Sequence, residues 1–81
     1  MFRLWLKTRR WKQERMRLQA INDAHRDQLC IDACTWGKMI VYFQENPNEY
    51  REVMMDSAQR LIDSICKYKE SQLNLINQPQ P

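Results

Sequence analysis

Between its two ends this chain has one place where a helix must stop, Asn46-Pro47-Asn48-Glu49. Proline pushes the residue before it out of the helical region, which ends a helix at Asn46. The same four residues can begin another. Asparagine is a good N-cap, proline at the first helical position loses no needed donor, and a glutamate three residues after the cap can return a bond to it. Elsewhere the chain holds one glycine, Gly37, and prolines only at 79 and 81. A sequence so poor in turn residues favours few long elements over many short strands.

At 81 residues the chain makes one small domain. The expected fold is all-α: an antiparallel hairpin of two long helices, about 18–45 and 47–76, preceded by a basic helical arm over 1–17. Asn77-Gln78-Pro79-Gln80-Pro81 is expected to be a disordered polar tail.

Leu18, Ile21, His25, Leu29, Ala33, Trp36, Ile40 and Phe43 step by three or four and mark one stripe of the first helix. Asn22, Asp23, Arg26 and Asp27 fall mostly off it. From Cys30 the apolar face widens to take in Ile31, Cys34, Met39, Val41 and Tyr42, as a helix touching more than one neighbour would require. Gly37, in the middle of that face, marks either a close approach or a kink. The second helix carries Tyr50, Val53, Met54, Ala58, Leu61, Ile62, Ile65, Cys66, Tyr68, Leu73 and Ile76 in the same manner.

A tight turn makes the helices antiparallel, so residues whose numbers sum to about 92–94 face each other. This sets Phe43 against Tyr50, Ile40 against Val53, Leu29 against Ile62 or Ile65, Ile21 against Leu73, and Leu18 or Met16 against Ile76. The second helix then ends opposite about residue 16 and leaves the arm without a partner inside the chain. A lone hairpin leaves much of its wide apolar face uncovered, so a homodimer forming a four-helix bundle, or docking on another protein, is expected. Trp36, Ile40, Phe43, Tyr50, Met54 and Leu61 are the candidate interface residues.

The net charge of +3 conceals a segregation. Residues 1–17 carry Arg3, Lys7, Arg9, Arg10, Lys12, Arg15 and Arg17 against Glu14 alone, while residues 18–81 carry six basic and nine acidic residues. A charge block at one end of a chain marks an arm with its own partner. Spread around a helix, these cations suit a groove with phosphates on both sides, and Trp5 and Trp11 suit stacking on unpaired bases. Lys7-Thr8-Arg9-Arg10 with Glu14-Arg15 resembles the arginine-rich RNA-binding peptides of lambdoid phage antitermination proteins. The likeness covers those positions alone and assigns no family. Phe2, Leu4, Trp5, Leu6 and Trp11 among basic residues also suit an anionic lipid surface, the less favoured reading.

No site for chemistry emerges. There is one histidine, no nucleophile–base arrangement and no glycine-rich phosphate loop. Asp23, Asp27 and Asp32 stand apart along one helix rather than paired in a pocket, so no enzyme is expected. Cys30, Cys34 and Cys66 with His25 do not make a usual zinc pattern, and packing explains them better; no metal or cofactor is expected. Three cysteines, an odd number, point to a reducing cytoplasmic setting. No apolar run reaches the roughly 18–20 residues a membrane span needs, and Met1–Lys7 is too short and too charged for a signal-peptide core. The functional expectation is a small regulatory protein that binds DNA or RNA through its arm. The alternative is an interaction module that modulates a larger enzyme or assembly through its apolar helical face.

Overall fold

A computed structural model describes residues 2–79, with side chains from Trp5 onward. The chain is all-helical. Helix α1 spans Phe2–Glu45 and helix α2 spans Arg51–Ile76, packed against each other as an extended hairpin of 67 × 14 × 13 Å. The long dimension is that of α1 itself, since 44 residues at a rise of about 1.5 Å each span about 66 Å. There is no break between the arm and the hairpin, and α1 runs through Gly37 without interruption.

The turn forms where Asn46-Pro47 requires it, by a different device from the expected cap. Asn46 acts through its backbone carbonyl, which accepts from the N–H groups of Glu49 at 3.2 Å and Tyr50 at 3.3 Å and closes a single turn around Pro47 and Asn48. Tyr50 then leaves helical geometry, with φ −103° and ψ 6°, and makes no side-chain cap bond. The second helix therefore begins at Arg51 rather than 47. The Tyr42 and Tyr50 rings, 5.7 Å apart between centroids, lie across the turn.

What joins the helices is a seven-residue repeat. On α1 the inward positions are Trp11, Leu18, His25, Asp32 and Met39, interleaved with Arg15, Asn22, Leu29, Trp36 and Phe43. On α2 they are Met54, Leu61, Tyr68 and Leu75, interleaved with Ser57, Ser64 and Ser71, and the flanking Tyr50 and Gln78 continue the same interval. Apart from Arg15, each of these is buried or half-buried. This is the pattern of an antiparallel coiled coil, in which supercoiling keeps a heptad seam facing its partner.

The most buried residues in that seam are polar: Asn22, Ser57, Ser64 and Ser71. Ser71 Oγ donates to Asn22 Oδ1 at 2.9 Å, with the Tyr68 carbonyl at the same distance, and Ser64 Oγ donates to the Asp32 carboxylate. Among the described residues no hydrophobic side chain is fully buried. Small hydroxyl side chains let the two backbones approach closely, and their hydrogen bonds satisfy the polar groups that approach encloses.

This seam corrects the expected pairing. Val53, Ile62, Ile65, Leu73 and Ile76, set inward from sequence, are all exposed, as is Met16. Asn22, set off the stripe, is inside. The apolar residues of α2 occupy two neighbouring stripes, and only positions repeating every seven stay on the partner over six turns of helix. Cys30, Cys34 and Cys66 are likewise free and exposed, not packed between the helices.

Candidate nucleic-acid interface

The cross-helix contacts extend two residues beyond the end of α2. Gln78 is half-buried and its Nε2 donates to the Trp11 carbonyl at 3.3 Å, while Arg15 donates to the Leu75 carbonyl at 3.5 Å. Residues 80 and 81 of the expected tail lie outside the described residues. Past Trp11, α1 continues as helix to Phe2 with no part of α2 beside it, a projection of roughly 13 Å. Its charged residues are Arg3, Lys7, Arg9 and Arg10, with no acid among them.

Lys7, Arg9, Arg10 and Lys12 are exposed, and no ion pair holds any of them among the described residues. Arg10 and Arg17 lie on one line of the helix, two turns apart, and Arg3 falls on that line by position, its side chain lying outside the described residues. Arg9 and Lys12 stand on another side, where Trp5, Thr8, Gln13 and Met16 complete a shallow groove.

Two arginines lie over tryptophan rings. The Arg9 guanidinium lies 5.5 Å from the centre of Trp5, and that of Arg15 lies 5.8 Å from Trp11. The indoles differ in access, which the sequence does not reveal. Trp5 is exposed, whereas Trp11 is half-buried and its Nε1 has no hydrogen-bond partner among the described residues. Arg17 is engaged by Glu14, with Nε donating to Oε2 at 3.0 Å. That hydrogen bond, together with the charge of Arg17, holds the Glu14 carboxyl below the usual carboxylate range. Arg15 and Arg17 are thus partly committed within the chain, and the cations presented outward are Lys7, Arg9, Arg10 and Lys12.

The residues expected to form a protein interface divide differently. Trp36, Phe43, Tyr50, Met54 and Leu61 are half-buried in the intramolecular seam, and Ile40 is half-buried on its flank. His25 sits in the seam beside Ile21, Lys67, Glu70, Ser71 and Asn74. Asp23 and Asp27 flank Arg26 at 3.6 and 3.5 Å. Among the described residues no three His, Cys, Asp or Glu side chains come together to hold a metal ion, and no helix is long and apolar enough to cross a membrane. The serine seam is the feature that stripe-reading misses. Its signal is present in the sequence as Ser57, Ser64 and Ser71 at an interval of seven. Comparison of the chain with protein-family models, curated proteins and solved structures returned no match.

Proposed function

We propose that this chain is a small, non-enzymatic regulatory protein that binds nucleic acid through its basic N-terminal arm. The observation that supports this best is the projecting helix. Its cations stand clear of α2 and no acid lies among them, so phosphates can approach them without like-charge repulsion. Such contacts release condensed counterions and give salt-dependent, weakly sequence-specific affinity. The exposed Trp5 adds a surface on which an unpaired base can stack, which favours RNA or single-stranded DNA over duplex DNA.

The test is a titration of the full chain against duplex DNA, single-stranded DNA and a structured RNA at several salt concentrations. Steep salt dependence with preference for an unpaired ligand is the expected result. Absence of binding to all three at low salt would overturn the reading.

The Glu14–Arg17 pair makes a sharper prediction. Glu14→Gln removes the arm's one acid and releases Arg17, so affinity should rise several-fold and the salt slope should steepen by about one phosphate contact. Protonating Glu14 acts in the same direction. Because its carboxyl is held low, that gain should come below the pH at which an unpaired glutamate titrates. The sign for stability is opposite: what the pair contributes to helix α1 is present above the unfolded-state pKa and is lost as pH falls through the lowered one.

A second reading, a module that modulates a larger assembly, is favoured by one observation, that so many apolar side chains remain outside the seam. Self-association of the chain would cover the same surface, and both roles fit a cytoplasmic regulator.

A further inference from the structure

One flank of the hairpin is apolar across both helices. On α1 it consists of Cys30, Ala33, Gly37 and Ile40; on α2, of Met55, Ala58, Ile62 and Ile65. The two sets belong to one side. Gln19 and Gln72 border a common cleft with Asn22 and Leu75, and Ala33, Ile40, Ala58 and Ile65 stand at whole heptads from those glutamines. Met55, Ile62 and Ile65 are exposed by 62%, 52% and 47%, and a Cβ added at Gly37 would meet nothing within 4 Å. The opposite flank is interrupted by Gln28, Thr35, Arg60 and Lys67.

We propose that a second copy of this chain packs antiparallel on that flank, completing a four-helix bundle; this deepens the self-association reading and is independent of nucleic-acid binding. The pattern of sizes is self-complementary. With a two-fold axis across the hairpin, level with residues 35 and 60, α1 lies over α1 and α2 over α2. Ile40 then meets the partner's Cys30, Gly37 meets the partner's Ala33, Ala58 meets the partner's Ile62, and Met55 meets the partner's Ile65. All but the last pair set a small residue against its counterpart, so the backbones can approach.

Charge selects the direction. A parallel copy would place two arms of net +6 side by side, whereas the antiparallel copy sends them to opposite ends. The extent is sufficient. Two helices about 20 Å across, over the roughly 27 Å from Arg26 to Gln44, give a flat footprint of about 540 Å². Side-chain relief brings this toward the roughly 800 Å² per partner of a standard interface.

Sedimentation equilibrium of the full chain without nucleic acid should give about twice the 9.9 kDa chain mass. Ile62→Glu should weaken the dimer at least a hundredfold, while Val53→Glu, on the other flank, should leave it unchanged, both with helical circular dichroism retained. A wild-type monomer, or equal effects of the two variants, would overturn the proposal. If Ile62→Glu fails to fold, cross-linking decides. In a background with the three native cysteines replaced by serine, an equal mixture of Ala33→Cys and Gly37→Cys chains is mildly oxidised. The mixed disulfide should predominate over either homodimer. Its absence, or homodimers alone, would reject the antiparallel arrangement.

Discussion

Ser64→Leu is expected to lower the melting temperature of this protein by roughly 12–24 °C. Ser64 is buried where α1 and α2 approach, and its hydroxyl donates to the Asp32 carboxylate. A leucine there overfills the seam, typically at about 1–3 kcal/mol, and removes a donor to a charged acceptor at a further 1–2 kcal/mol, the lower part of the usual range because Asp32 is half exposed. A total of roughly 3 kcal/mol translates at about 4–8 °C per kcal/mol for a domain of this size. Leu73→Ala is the informative comparison. Pairing apolar stripes by eye sets Leu73 inward against Ile21, and its truncation should then be costly. In the heptad seam it points outward, and the change should stay within about 0.5 kcal/mol. Thermal melts followed at the helical circular dichroism band separate the two. A more damaging Leu73→Ala than Ser64→Leu would mean that the seam is wrongly registered.

Replacing Lys7, Arg9 and Arg10 together with glutamine should reduce nucleic-acid affinity roughly 500-fold near 0.1 M salt. Each phosphate contact contributes about 0.9 to the slope of log affinity against log salt, or about eightfold at that salt relative to 1 M. Removing three such cations should flatten the slope by about 2.7. These positions are chosen over Arg15 and Arg17 because Arg15 donates to the Leu75 carbonyl and Arg17 to Glu14. The three lie at or beyond the last turn that α2 covers, so the hairpin should melt unchanged. Retained affinity with an unchanged slope would place the binding surface away from these three cations.

The two-helix architecture was legible because one dipeptide, Asn46-Pro47, stands alone as a breaker in a chain of helix formers. The register was legible only in part. Ser71 with Asn22 and Tyr50 with Tyr42 fall where a tight antiparallel turn sets them. On α1 the stripe through Leu18, His25, Leu29, Trp36 and Phe43 does look inward, whereas on α2 hydrophobicity gave Met54, Leu61 and Tyr68 but missed Ser57, Ser64 and Ser71, which are small and polar. A stripe drawn through leucines and isoleucines passes them by; a count of sevens does not. The start of α2 was misplaced because Pro47 satisfies the rules for a helix start equally well in an isolated turn. In the arm, the cations were legible as a group, but their division into outward and engaged members depends on side-chain placement that composition does not contain.

A seam that encloses serines and an asparagine and leaves every apolar side chain partly wet has a bearing on how long the chain survives. Helix pairs of this kind open locally at low cost, and a protease cuts the open form in proportion to its population. Anything that covers the apolar flank lowers that population by mass action. If a second copy supplies that cover, uncovered chains would be cleared first and the surviving amount would rise more steeply than the rate of synthesis. Turnover, rather than a dedicated switch, would then set the level at which such a protein begins to act.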